Sequence, residues 1–189
     1  MPKCNAGTMN LSDRCGDKVC DKARDKARDK ACDEAWGMYR LIPFDVRHGN
    51  CGGSLVQFQP GSENKNTLPF AIGKVLVMSG IRPEDVRGNH AHFHTEEIVV
   101  VLQGGCSFDL DDGRGRHETV RLEAGLAEDQ CPALLLYPHI WRVFHHFQPN
   151  TILLVIASIP YDEADYIRDR NAFEQLADSW QGHPRDPAD

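Results

Sequence analysis

From Trp36 onward the chain breaks into short apolar runs separated by turn residues. Ser54–Phe58 and Lys74–Met78 are two such runs. Glu97–Leu102 is rich in β-branched residues and stops at Gly104-Gly105, and Cys106–Leu110 stops at Asp111-Asp112-Gly113. His117–Leu122 alternates polar with apolar, and Ala133–Tyr137, Val143–Phe147 and Thr151–Ala157 complete the series. Runs of this length, bounded by tight-turn residues, predict strands, with Gly104 closing a hairpin. Their regular succession predicts an all-β sandwich or barrel over residues 37–160, not a sheet alternating with helices.

The two ends follow other patterns. Lys18–Ala35 repeats Asp-Lys-Ala-Arg with a period of four, so Lys22–Asp25 and Asp25–Arg28 are opposite-sign neighbours on a helix. Only Val19 and alanines offer an apolar face, which predicts a fraying, solvated helix or disorder over the polar extension 1–36. In the segment 161–189, Asp162, Glu163 and Asp165 followed by Tyr166, Ile167, Phe173 and Leu176 predict short helical structure on the barrel. Gly182-His183-Pro184 ends it, leaving a loose tail.

The 189 residues are 41% hydrophobic, enough for one buried domain with ornament. A net charge of −7 and a pI near 5.7 argue against nucleic acid or an anionic membrane as partner, and an anionic substrate would need a local basic pocket. No apolar run approaches the roughly 18 residues that span a bilayer, and the first forty residues lack the apolar core of a secretory signal, so a cytoplasmic protein is expected. The cysteines number seven. Cys4, Cys15, Cys20 and Cys32 form no C-x-x-C pair, which suits reduced thiols better than a zinc site. Cys106 reads as a small core residue.

The most informative stretch is Arg87-Gly88-Asn89-His90-Ala91-His92, followed by Glu97 and Gly104. Histidines at i and i+2 share one face of a strand, and Glu97 can meet them from the next strand. The spacing resembles the first motif of the cupin superfamily, although Glu84 stands where that motif opens with glycine. The resemblance implies a single jelly-roll barrel. In metal-binding cupins this trio holds a cation with a fourth histidine from a later strand. The segment Leu135–Arg142 resembles that second motif, with Arg142 in the fourth place; a guanidinium cannot ligate and its charge opposes a cation. No metal and no cofactor is therefore expected. His94 falls where the strand ends and is read as a rim residue. His117, His139 and His183 read as surface or loop residues, and at most one of His145 and His146 can face inward.

Beyond the cupin motif, residues 87–173 resemble the dTDP-4-keto-6-deoxyglucose 3,4-ketoisomerase family. The resemblance rests on R-G-x-H-A-H at Arg87–His92, L-D-D-G at Leu110–Gly113, the Pro138…Trp141 spacing, Ile156-Ala157-Ser158, and Y-D-E-x-D-Y-I-R at Tyr161–Arg168. It implies an enzyme that moves the ketone of a nucleotide-linked 4-keto-6-deoxy sugar from carbon 4 to carbon 3 through an enediol. His90 and His92 carry over as the acid–base pair. Arg87, Arg142, Glu97 and Lys74 are the expected substrate-binding residues, the arginines for phosphate or developing negative charge. The family's dimers, joined through N-terminal strands, imply a homodimer here. Several pocket positions depart from the family: Lys74-Val75-Leu76-Val77 replaces Arg-Val-Tyr-Tyr, Glu97 a glutamine, Gln59 a glutamate and Arg142 a histidine. Two alternatives stay open at this point, a metal-dependent cupin enzyme and a cupin that binds a nucleotide sugar without turnover.

Overall fold

The computed structural model describes residues 37–50, 52–61, 67–124 and 130–180. The extension 1–36 and the tail beyond Trp180 lie outside the described residues. The long strands are β1 (Tyr39–His48), β5 (Lys74–Met78), β6 (Arg87–His92), β7 (Glu97–Gln103), β8 (Gly105–Asp111), β9 (His117–Glu123), β10 (Gln130–Leu136), β11 (Trp141–His145) and β12 (Ile152–Ala157). Shorter ones are β2 (Ser54–Val56), β3 (Gln59–Pro60), β4 (Thr67–Leu68) and β13 (Tyr166–Ile167). One six-stranded antiparallel sheet runs β2-β1-β10-β7-β12-β5 and faces a five-stranded sheet, β13-β6-β11-β8-β9. This is the expected cupin barrel.

The strand run 97–101 is apolar on both faces because both are covered. Val99 and Val101 point between the sheets, where they meet Phe108, Leu110, Phe144, Leu136, Leu153 and Val155. Ile98 and Val100 point the other way, into a second cluster with Phe44, Leu68, Leu135 and Ile156 under the segment that carries Phe58 and Phe70. Each fully buried side chain of this kind stabilises the fold by about 1.5–3 kcal/mol. Cys106 is indeed a small core residue: its thiol is free and buried, and burial pushes its pKa up to about 12.

One expectation needs correcting. Gly104 does not close a hairpin, because β7 and β8 belong to different sheets. It turns the chain from one sheet to the other with φ +72°, and a Cβ there would lie 2.4 Å from Thr151 Oγ1. The short helical structure expected after Tyr161 is present, with a strand set between its two pieces. Glu163–Asp165 form a single 3₁₀ turn and β13 then pairs with β6, Tyr166 opposite His92 and Ile167 opposite Ala91. Among the described residues only α1 (Arg170–Ala177) is an α-helix, started by Asp169, whose side chain accepts from the Ala172 N–H. Phe173 anchors α1 against Trp141 on the outer face of the five-stranded sheet. No helix among the described residues is long and apolar enough to cross a membrane.

Candidate active site

One end of the barrel interior is polar. His90 pairs with Arg142 across β6 and β11, and Glu97 lies in one cross-strand row with Ala157 and Lys74. Cross-strand partners share a face, so these side chains converge on one pocket. The His90 and His92 rings stand 4.9 Å apart. Gly88, at φ +83°, allows β6 to sit tightly on β11: a Cβ there would lie 2.6 Å from the Arg142 carbonyl.

The two histidines have different surroundings. His90 is half-buried and its Nδ1 lies 3.0 Å from the Gly88 carbonyl. A carbonyl only accepts, so Nδ1 carries the hydrogen and Nε2 turns its lone pair into the pocket. Burial and then the nearby Arg142 charge push the His90 pKa down to about 4, leaving the imidazole neutral at pH 7. His92 is fully buried. Its Nδ1 donates to Asp165 Oδ2 at 2.8 Å, and its Nε2 lies 3.6 Å from Glu97 Oε1. Two carboxylates thus bracket this ring.

Both carboxylates are ionised. Burial favours the neutral form of Glu97, but His92 and Arg142 outweigh it and hold the pKa at about 2. The close contact is Arg142 Nη1 donating to Glu97 Oε2 at 3.1 Å. Asp165 is likewise disfavoured by burial, yet its pKa is lowered by donors from Thr95 Oγ1 at 2.5 Å, from His92, and from the His94 N–H at 2.7 Å. Arg142 is fully buried; its Nη2 donates to the Tyr137 carbonyl at 2.9 Å, while its Nε–H has no partner among the described residues. The Nε2 atoms of both histidines are also without a hydrogen bond there.

The structure therefore brings together His90, His92, Glu97 and Arg142. Lys74 joins through a residue that sequence reasoning did not assign to the site: its ammonium donates to the Tyr166 hydroxyl at 3.1 Å, and the Tyr166 ring lies 4.3 Å from His92 and 5.1 Å from His90. Arg87 is not drawn into this group. It is exposed, paired with Asp85 at 2.9 Å and donating to the Val86 carbonyl. His94 is exposed, as a rim residue should be. His145 faces away from the pocket and pairs with Asp109 at 2.8 Å, so neither it nor its neighbour replaces Arg142. Asp165 and Tyr166 were within the Tyr161–Arg168 motif, but only their pairing with β6 reveals their place.

His90, His92 and Glu97 offer ligand atoms within 4.8 Å of one another. They do not fit a divalent cation well, because Arg142 already occupies Glu97 and places its fixed positive charge in the fourth position. No step is derived through a metal.

The sequence model of the family described as FdtA: WxcM-like, C-terminal matches residues 40–178. The chain belongs to this family. It is 38% identical over 125 residues to the TDP-4-oxo-6-deoxy-alpha-D-glucose-3,4-oxoisomerase of Aneurinibacillus thermoaerophilus, covering 65% of this chain and 81% of that one. Among solved structures it resembles a 3,4-ketoisomerase from Helicobacter canadensis, with TM-score 0.63 and 30% identity over 74% of this chain and 97% of the other. It also resembles QdtA, a sugar 3,4-ketoisomerase from Thermoanaerobacterium thermosaccharolyticum solved with TDP, with TM-score 0.66 and 25% identity over 75% and 96% of the two chains.

Proposed function

We propose that this chain is a sugar 3,4-ketoisomerase that moves the ketone of a TDP-linked 4-keto-6-deoxy sugar from carbon 4 to carbon 3. The observation that carries the reading is the pair of imidazoles 4.9 Å apart in opposite electrostatic settings. Pairs of titratable groups whose environments diverge divide acid from base. His90, neutral with its Nε2 lone pair in the pocket, removes the proton from carbon 3, which the adjacent ketone makes acidic. The electron pair moves into the carbon 4 carbonyl and an enediol forms. His92, held in place by Asp165, returns a proton to carbon 4. Arg142 provides a buried positive charge beside the developing enediolate. A positioned acid or base of this kind contributes roughly 10²–10⁴-fold. Arg87 at the mouth is suited to the diphosphate, where it would exchange Asp85 for a stronger anion.

The same reading takes the enzyme to be a cytoplasmic homodimer. The exposed Val75, Leu76 and Val77 on edge strand β5 support a paired state, since an apolar sheet edge is commonly covered. The test is incubation with dTDP-4-keto-6-deoxyglucose in deuterium oxide. Deuterium should enter the sugar at carbon 3 of the substrate pool and at carbon 4 of the product, with the 3-keto sugar accumulating. Absence of label at both carbons overturns the substrate assignment.

A further inference from the structure

The reaction proposed above moves two hydrogens. Carbon 3 loses its C–H and its oxygen loses an O–H, while carbon 4 gains a C–H and its oxygen gains an O–H. His90 and His92 account for the carbon hydrogen only. Resting on the isomerase reading, we propose that the Tyr166 hydroxyl exchanges the oxygen-bound proton between the two sugar oxygens, with Lys74 as its positioning residue.

Register places Tyr166 in the pocket. It pairs with His92 across β13 and β6, so the two side chains project the same way, and its ring packs on both catalytic imidazoles. The ring is fixed from its other surroundings by the Arg168 guanidinium, 4.3 Å from the ring centroid. Lys74 has hydrogens and no acceptor, so its 3.1 Å bond must donate to the phenolic oxygen. The hydroxyl hydrogen is then directed elsewhere, and no described group accepts it. Other donors nearby are committed apart from the Arg142 Nε–H. The Thr95 hydroxyl donates to Asp165, and Arg142 holds Glu97 and the Tyr137 carbonyl. A guanidinium also does not release its proton in a protein.

The step balances without an added reagent. As His90 takes the carbon 3 proton, the Tyr166 O–H bond breaks and the oxygen at carbon 4 gains that proton. The phenolate formed is held by the Lys74 ammonium. As carbon 4 takes its proton, the O–H at carbon 3 breaks, its proton returns to Tyr166, and the carbon 3 carbonyl forms. The sugar is oxidised at carbon 3 and reduced at carbon 4, the tyrosine ends as it began, and the proton gained by His90 is released to solvent while His92 takes one up, which restores both imidazoles.

The experiment is steady-state kinetics on dTDP-4-keto-6-deoxyglucose for the parent chain, Tyr166→Phe, Lys74→Met, Lys74→Arg and the Tyr166→Phe/Lys74→Met double variant. Phenylalanine keeps the ring against the histidines and removes only the hydroxyl. It should lower kcat about 100-fold with KM within about threefold of the parent. Lys74→Met should lower kcat about tenfold, through loss of one charge-assisted bond, and Lys74→Arg should recover most of it. The double variant should be no slower than Tyr166→Phe alone, because the two groups act through one hydrogen bond. A Tyr166→Phe kcat within about threefold of the parent overturns the proposal, as does an effect confined to KM. Losses that multiply in the double variant overturn the role of Lys74. A parent chain that does not isomerise the sugar overturns the isomerase reading itself, a result distinct from all of these.

Discussion

Replacing His90 by asparagine should flatten one window of the protein's pH–stability curve. In the folded chain, burial and Arg142 bring the His90 pKa from 6.5 down to about 4. Above pH 6.5 the imidazole is neutral in folded and unfolded chains alike, and it contributes no pH dependence. As pH falls from 6.5 to 4 the unfolded chain takes up a proton that the folded chain refuses, so stability is lost through that window. At about 1.4 kcal/mol per pH unit the loss reaches about 3 kcal/mol. Glu97 is distinguishable because its own window lies lower: with a pKa of about 2 against 4.5, its contribution fades only as pH falls through that range. Urea denaturation of the parent and His90→Asn at half-unit steps from pH 4 to 7.5 measures the difference. The parent should lose about 3 kcal/mol more than the variant between pH 6.5 and 4. The parent's acid limb of kcat/KM should also lie well below 6.5. Parallel stability curves, or an acid limb at 6.5, would refute the claim that His90 enters the reaction as a buried neutral base.

The remaining predictions concern the groups behind the histidines. Asp165→Asn should lower kcat by roughly 10²–10⁴-fold with the far-UV circular dichroism unchanged, because an amide can turn its NH₂ toward His92 Nδ1 and reverse the ring's hydrogen-bond polarity; full activity would show that Asp165 only ties β13 to the barrel. Glu97→Gln should destabilise the fold by about 3 kcal/mol in urea, since it leaves a fully buried Arg142 without its counter-charge. Adding Arg142→Met to that chain should recover most of the loss, and an unchanged urea midpoint in Glu97→Gln would mean that the pair is not desolvated as described.

How much of this was legible in the sequence depended on the distance over which each feature is decided. The histidine pair was legible because a two-residue spacing on a strand is a local fact; Glu97 followed from spacing around it, and Arg142 from the resemblance of Leu135–Arg142 to the second cupin motif. Arg87 stands apart from the imidazoles, exposed and engaged with Asp85: position 87 does not share the strand face of His90 and His92, and β6 is irregular besides, with Gly88 and Asn89 at positive φ and a register shift against β11 at Arg142/Val143. Asp165 and Tyr166 were not legible as pocket residues because a two-residue strand has no measurable period. Their neighbours Asp162 and Asp169 accept hydrogen bonds as turn and helix caps, so the segment reads as helical.

The position of Asp165 is set by pairing with a strand more than seventy residues earlier, and this long-range closure decides the chemistry. Through β13 a second carboxylate reaches His92 and not His90, so the two rings that look equivalent in the H-x-H motif differ in their hydrogen bonds, and the proposed division into acid and base rests on that difference. In the proposed reaction the tail motif therefore belongs to the site as much as the histidines do, because Asp165 and Tyr166 reach them only when the chain returns to β6.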